Sequence, residues 1–214
     1  MDDVNATIIR PFGPSILKTK IPEKIVNELN TYIDKIIENK KKSEELDFGK
    51  KLIGDVTQEF KLEKNFAKES GWLQFLANCS AKWIEMETGK KINNFSLIES
   101  WIVRQFKNEY NPAHYHNGHI SGAGFLKLPK SFGKHIQQKG GAKDYLGGTL
   151  NLIHGSRAFV SESIFTIKPE VGDFYFFPNY MMHTVFPFKD TKEERRSISF
   201  NASIDKEIYN VYQN

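Results

Sequence analysis

The spacing of hydrophobic residues predicts that the first part of the chain is helical. Apolar side chains recur every three or four positions from residue 25 to residue 37, and Pro22 stands where a helix would begin. Similar spacing predicts a second helix from about Glu63 to Thr88, which Gly71 can interrupt.

Residues with a β-type pattern occupy the start of the chain and most of its second half. Residues 1–21 are expected to form an entry strand with a turn at positions 11–14, whereas residues 43–60 are irregular and polar. Beyond residue 92, runs of β-branched and aromatic residues alternate with Gly, Pro and Asn, which is typical of a sandwich, barrel or jelly roll. The strands predicted there are 95–106, 122–128, 149–153, 163–168, 173–177, 183–186 and 196–204.

Composition favours one folded domain. The chain has 214 residues with 17 Phe, 8 Tyr and 3 Trp, so it can bury a core and is not expected to be disordered. We expect a single domain 1–214, with a strand and support helices in residues 1–91, a β core in residues 92–204 and a tail in residues 205–214.

Charge and cysteine content bear on location and partners. No apolar run approaches the roughly 20 residues of a spanning helix. The chain starts with acidic and polar residues, and Cys79 is its only cysteine, so we expect a cytoplasmic protein without a membrane partner. The net charge is only +4, and the lysine run 40–42 precedes Glu44 and Glu45, which favours a solvated helix end over a nucleic-acid surface.

Three of the six histidines lie in one short stretch. His114 and His116 are two positions apart, so in a strand both side chains would point to one face and could share a metal ion. A pair of surface histidines is the alternative. His183 follows an apolar predicted strand that Pro178 ends, and it is either part of the same site or a core histidine bonded to backbone.

A strand with one polar face follows His183. Alternation places Arg195 and Ser197 on one face with other polar residues, and Arg196 on the opposite face with apolar ones. A polar face inside a closed β structure needs a ligand or water to satisfy it. A guanidinium beside a hydroxyl suits a carboxylate, because guanidinium binds it through two hydrogen bonds. Two surface arginines on an edge strand are the alternative.

Taken in order, these motifs resemble those of the 2-oxoglutarate/Fe(II)-dependent dioxygenases, in particular a bacterial and phage branch with a His-x-His and then a Ser-Gly strand. The resemblance covers roughly residues 95–204 and implies a mainly β fold with N-terminal helices, a double-stranded β-helix of the jelly-roll, cupin-like type. The segments that carry it are His114-Tyr115-His116, Ser121-Gly122, Gly147-Gly148-Thr149-Leu150, residues 172–178, His183 and residues 195–201.

The resemblance implies a role for each matching residue. His114 and His183 match the two metal-binding histidines, and His116 occupies the position where most of the superfamily has Asp or Glu. Arg195 matches the arginine that holds the distal carboxylate of 2-oxoglutarate, and Ser197 matches its hydroxyl partner. The three histidines are therefore the expected metal ligands and catalytic residues.

Because position 116 has no carboxylate, the sequence determines neither which metal binds nor which residue is its third ligand. Three imidazoles suit Fe(II), and they also suit Zn²⁺, Ni²⁺ or Cu²⁺. His119 is the alternative third ligand if Asn117-Gly118 forms a turn, since a separation of three residues has the wrong parity for a strand.

The function implied is that of an oxidoreductase: an iron- and 2-oxoglutarate-dependent hydroxylase that uses O₂, forms succinate and admits ascorbate as an accessory reductant. The substrate is a small molecule or a peptide, and peptidyl proline is the first expectation by analogy. Trp101, Tyr110 and Tyr115 are candidate pocket aromatics. A cupin-type three-His dioxygenase without 2-oxoglutarate and a non-catalytic jelly-roll module are the alternatives. The sequence does not indicate an oligomeric state.

Overall fold

The computed structural model describes residues 6–9, 13–49, 54–133, 146–189 and 191–210. The helices in these ranges are α1 Glu23–Glu38, α2 Lys40–Glu45, α3 Lys64–Glu69, α4 Trp72–Thr88 and α5 Lys206–Tyr209. The strands are β1 Ala6–Ile9, β2 Ile16–Lys20, β3 Gln58–Lys61, β4 Phe95–Gln105, β5 Asn111–His114, β6 Ile120–Lys127, β7 Leu150–Ile153, β8 Ile164–Ile167, β9 Asp173–Pro178, β10 Met182–Val185 and β11 Arg195–Ile204.

The strands form two antiparallel sheets. One has seven strands in the order β1-β2-β9-β6-β11-β4-β3, and the other has four in the order β5-β10-β7-β8. Side chains from both sheets meet in one apolar layer, where Phe125 and Phe177 of the larger sheet pack with Leu150 and Leu152 of the smaller. The predicted mainly β fold with N-terminal helices, a double-stranded β-helix, is confirmed.

The helices cover the other face of the larger sheet. Alternation along β9 sends Phe174 and Phe176 into a second apolar layer, which also contains Leu29 of α1 and Trp72 and Leu76 of α4. The larger sheet therefore lies between two aromatic-rich layers. The polar residues Arg195 and Ser197 of its strand β11 face the smaller sheet.

The helix predictions hold in outline. Helix α1 starts directly after Pro22, as expected. The second predicted helix is two helices, because Gly71 has a φ of 78° in the left-handed region that favours glycine. Gly89, with a φ of 71°, ends α4 in the same way.

The prediction that segment 43–60 is irregular is wrong at both ends. Residues 46–49 and 54–57 belong to no helix or strand. Residues 43–45 form the end of α2, whose Asn39 side chain accepts a hydrogen bond from the Lys42 N–H, and residues 58–60 belong to β3. Neither element has a long apolar period, so hydrophobic spacing could not reveal them. The lysine run 40–42 lies in α2, as the helix-end interpretation predicted.

The entry segment is two strands rather than one. Ile9 pairs with Ile16 across an antiparallel hairpin, and part of the predicted turn, positions 11 and 12, lies outside the described residues. Among the described residues, none of the helices combines the length and the apolar character needed to cross a membrane.

Strand β6 can approach β9 only because it carries glycines. A Cβ atom at Gly124 would overlap the Phe174 ring and lie 2.6 Å from the carbonyl oxygen of Asp173. We expect Gly124→Ala to lower the free energy of unfolding by about 1–3 kcal/mol through overpacking, measured by urea unfolding. Gly13→Ala is the matched control, because a Cβ there meets only His154, at 3.8 Å. Equal midpoints for both variants would contradict this packing.

Candidate active site

The pairing of β5 with β10 brings His114 and His183 together. The two residues are direct partners in the antiparallel register, so their side chains leave the same face of the smaller sheet. Their ring centroids are 4.3 Å apart. Strand β10 also pairs with β7 on its other side, which buries His183 in the interior of this sheet.

His116 reaches the same place by a different route. Strand β5 ends at His114, so the strand parity assumed for His116 does not apply. Instead, Asn179 holds the His116 backbone twice: its carbonyl oxygen accepts from the His116 N–H at 3.0 Å, and its side-chain Nδ2 donates to the His116 carbonyl at 3.1 Å. The His116 ring lies 5.4 Å from the ring of Trp101.

The three imidazoles have the spacing of metal ligands. Nε2 of His116 lies 3.1 Å from Nε2 of His183. Two ligands about 2.1 Å from a metal ion and at right angles to each other would be separated by about 3 Å. The candidate ligand atoms of all three residues lie within 4.8 Å of one another, and within the described ranges no other cluster of His, Cys, Asp or Glu meets this test.

Backbone carbonyls orient two of the rings. Nδ1 of His114 lies 2.7 Å from the Pro112 carbonyl oxygen, and Nδ1 of His183 lies 2.9 Å from that of Met181. A carbonyl only accepts, so each Nδ1 carries the proton and each Nε2 presents a lone pair. Since two lone pairs repel at 3.1 Å, a proton or a metal ion must lie between His116 and His183.

Burial keeps the cluster neutral. It lowers the pKa of His114, lowers that of His116 to about 3, and lowers that of His183 well below its ordinary value. Neighbouring imidazoles add to the effect for His116 and His183. A neutral imidazole binds metal and an imidazolium does not, so all three can act as ligands at neutral pH.

His119 lies elsewhere. Its Nδ1 accepts a hydrogen bond from the Ile204 N–H at 3.0 Å, and its ring stacks on Tyr209 with centroids 4.0 Å apart. The structure therefore groups His116, and not His119, with His114 and His183.

Arg195 and Ser197 line the same cavity as the three histidines. Arg195 is 2% exposed; its Nε donates to the Gly148 carbonyl at 3.0 Å and its Nη1 to Ser197 Oγ at 3.2 Å. Among the described residues no carboxylate pairs with it, and burial lowers its pKa to about 9. A buried guanidinium without a counter-ion is suited to an anionic ligand.

Arg196 points the other way, as alternation predicts. Its guanidinium contacts Asp34 at 2.7 Å and Glu194 at 2.5 Å, and its Nη1 also donates to the Asn30 side chain of α1. This arginine therefore joins β11 to α1 and has its own acidic partners. Adjacent buried arginines thus have opposite electrostatic surroundings.

The predicted pocket aromatics divide between the interior and the surface. Trp101 is buried and lines the cavity. Tyr110 and Tyr115 are 41% and 66% exposed, and neither lines the cavity.

Sequence analysis missed an acid beside the cavity. Glu59 of β3 is 2% exposed and receives a hydrogen bond from Asn111, and its Oε1 atom has no partner in the described part of the chain. Burial raises its pKa to about 7, and the nearby carboxylates of Asp47 and Glu109 add to the effect. A glutamate between Gln58 and Phe60 carries no sequence signal of burial, because only its pairing with β4 places it inside.

Residues 99–201 match a family model described as "Putative 2OG-Fe(II) oxygenase". The match runs from β4 to β11 and includes the three histidines, Arg195 and Ser197. This β core is that of a 2-oxoglutarate/Fe(II)-dependent oxygenase. The family implies Fe(II) and 2-oxoglutarate, with O₂, and the three-histidine cluster of the oxygenase fits iron.

Solved structures with low sequence identity have the same fold. A Pseudomonas putida prolyl-4-hydroxylase has a TM-score of 0.56 at 15% identity, with 87% of this chain and 91% of that chain covered. AviO1 from Streptomyces viridochromogenes has a TM-score of 0.58 at 12% identity, with 90% of each chain covered. A Trichoplax adhaerens prolyl hydroxylase in complex with a hypoxia inducible factor peptide fragment has a TM-score of 0.54 at 12% identity, with 100% of this chain and 89% of that chain covered. A search of curated proteins finds no match to the oxygenase.

We expect Asn179→Ala to weaken metal binding roughly 10–100-fold, the usual effect of losing a group that orients a ligand. The variant loses the side-chain hydrogen bond to the His116 carbonyl and the Oδ1 that accepts from Tyr209. Co²⁺ titration followed by visible absorption measures the change. Asn78→Ala, at an exposed position on α4, is the control. An affinity equal to that of the control would show that Asn179 does not position His116.

Proposed function

We propose that the protein hydroxylates its substrate in a reaction coupled to the conversion of 2-oxoglutarate to succinate. The observation that carries the proposal is one cavity with two features. Three neutral imidazoles converge in it, and it is lined by the guanidinium of Arg195, with which no carboxylate of the described residues pairs.

His114, His116 and His183 would hold the iron. The Nδ1 bonds of His114 and His183 to backbone carbonyls leave Nε2 of both rings free for a metal, and burial keeps all three rings neutral. Bound there, iron would supply the oxygen activation that links 2-oxoglutarate decarboxylation to hydroxylation. With three neutral ligands, the iron would keep a larger positive charge than with the usual carboxylate, which favours binding of a dianionic co-substrate.

Arg195 and Ser197 would bind the distal carboxylate of 2-oxoglutarate. The Arg195 guanidinium stays charged at neutral pH although its pKa is lowered to about 9, and its Nη1 already orients the Ser197 hydroxyl. The carboxylate would supply the missing counter-ion. Val103, Leu150 and Val185 form apolar walls that limit water in the cavity.

Peptidyl proline is the substrate that we propose to test first. The supporting observation is similarity of fold to a prolyl-4-hydroxylase and to a prolyl hydroxylase in complex with a peptide. Trp101, which lines the cavity beside His116, offers an apolar surface for a ring of that size.

Anaerobic addition of Fe(II) and 2-oxoglutarate tests the proposal, because the chelate has a weak visible charge-transfer band. Succinate release in air, with ascorbate as accessory reductant, then tests turnover. The all-histidine donor set also favours a second candidate, a cupin-type dioxygenase that needs no 2-oxoglutarate. Oxygen consumption without 2-oxoglutarate, and without the band, would support that candidate.

Loss of a histidine should remove the metal. We expect His114→Ala and His183→Ala to abolish the band and turnover while the fold persists, because each ring supplies one bond. His116→Asp should retain Fe(II) and some turnover, since a carboxylate is the ligand that most relatives use, whereas His116→Ala should lose most of both.

Iron content and succinate yield measure these effects, and His119→Ala is the control. Its ring contacts Tyr209 and the Ile204 backbone rather than the cluster. Full iron stoichiometry in His183→Ala would overturn the assignment of the metal site.

The two adjacent arginines should separate co-substrate binding from stability. We expect Arg195→Met to weaken 2-oxoglutarate binding by two to four decades, since losing one partner of a buried charge pair costs on the order of 3–5 kcal/mol. Arg196→Met should instead lower the unfolding temperature, because it leaves the buried Glu194 carboxylate without that partner. Titration with 2-oxoglutarate, followed by the visible band, measures the affinity, and thermal unfolding measures the stability. A larger loss of 2-oxoglutarate affinity in Arg196→Met would contradict the strand register.

A further inference from the structure

A buried carboxylate lies beside the cavity with no role in the reaction described above. Glu59 is directly opposite Val103 in the pairing of β3 with β4, and Val103 is directly opposite Ser197 in the pairing of β4 with β11. Directly paired residues share a sheet face, so Glu59 lies on the cavity face with Val103 and Ser197. Two strand spacings put Glu59 on the order of 10 Å from Ser197.

Glu59 is linked to the cavity by Asn111. The Asn111 side chain bonds to the Glu59 carboxylate, and Asn111 lines the cavity with the three histidines. The Oε1 atom of Glu59 is buried and has no hydrogen-bond partner among the residues that the structure describes. An unsatisfied buried carboxylate oxygen is destabilising, and a glutamine could accept from Asn111 without a charge, so stability alone does not explain a glutamate here.

The surroundings of Glu59 are acidic. Asp47 and Glu109 are the charged groups that act on it among the described residues, and no lysine, arginine or histidine does so there. These carboxylates do not form a metal-binding cluster within the described ranges, where only the three histidines meet that test. The site therefore favours an organic cation with directional N–H donors.

We propose that Glu59 and Asn111 form a subsite for an ammonium or guanidinium group of the substrate. This inference rests on the proposed function in taking the bound molecule to be the substrate. Within the described ranges Arg195 has no acidic partner and Glu59 has no basic one. The two residues then serve the two charges that enter the cavity: the anionic co-substrate and the cationic group of the substrate. The cation would complete the hydrogen bonding of Oε1 and offset the repulsion from Asp47 and Glu109.

Saturation-transfer NMR with n-butylammonium and its neutral analogue 1-butanol tests the subsite directly, without metal or turnover. We expect the wild type to bind the ammonium probe at least tenfold more tightly than the alcohol. Glu59→Gln should reduce that preference to less than twofold. Glu69→Gln, the same charge change at an exposed position on α3, should retain it. Equal binding of both probes by the wild type, or an unchanged preference in Glu59→Gln, would overturn the proposal.

Mn²⁺ places the probe relative to the histidines. With Mn²⁺ bound, the ammonium protons should broaden in the wild type and much less in Glu59→Gln. If Mn²⁺ does not bind, the metal site of the proposed function fails, while the metal-free comparison still decides the cation subsite. Tight ammonium binding without broadening would place the probe away from the cavity and would overturn the proposal.

Stability distinguishes a binding role for Glu59 from a structural one. The pKa of Glu59 is raised to about 7 in the folded protein, so its burial costs stability increasingly as pH rises from the unfolded value of about 4.5 through 7. Glu59→Gln should therefore unfold at a higher urea concentration than wild type at pH 8, with the difference shrinking towards pH 5. A Glu59→Gln variant less stable than wild type at pH 8 would show that the acid is structural and would contradict the proposal.

Discussion

The antiparallel pairing of β10 with β5 is the interaction on which the active site depends. It sets His183 directly opposite His114, although 69 positions separate them along the chain. Ladder hydrogen bonds are stiff, so two imidazoles carried on paired strands are held at a fixed separation by the backbone itself. The backbone carbonyls of Pro112 and Met181 fix which nitrogen of each ring is free.

The third histidine shows how the fold completes a site where the strand ends. His116 lies past the last residue of β5, and Asn179 at the end of β9 replaces the missing ladder with one backbone and one side-chain hydrogen bond. Tyr209 of α5 in turn donates to Asn179. The position of one candidate ligand therefore depends on residues near the C-terminus as well as on the two sheets.

Burial and charge explain how neighbouring residues differ in role. Arg195 and Arg196 are almost equally buried, yet Arg196 lies among carboxylates of the support helix and strand end. Among the described residues, the hydrogen bonds of the Arg195 guanidinium go only to a carbonyl and a hydroxyl. A charge with partners inside the protein stabilises the fold, and a charge without them is available to a ligand. The two buried acids differ in the same way. Glu194 pairs with Arg104 and Arg196, whereas no basic residue of the described ranges acts on Glu59.

Sequence analysis could identify the histidine pair, His183 and the arginine strand as candidate site residues, because short motifs in a fixed order contain them. It also predicted the alternation that turns Arg196 away from Arg195, since alternation is a local property of any strand. It was wrong about the two ends of segment 43–60, where short polar elements carry no hydrophobic period. Its expectation that strand parity aligns His116 was also wrong, because the strand is shorter than the motif.

By itself, the sequence determined the residue types, the strand alternation and the mainly β character of residues 92–204, all of which depend on neighbours in the chain. Only the tertiary structure decided that His119 stacks on Tyr209 rather than joining the cluster, that Asn179 holds His116, and that Glu59 is buried beside the cavity. These outcomes depend on strand register and on contacts between residues far apart in the chain. Register is a property of paired strands, and no single strand encodes it.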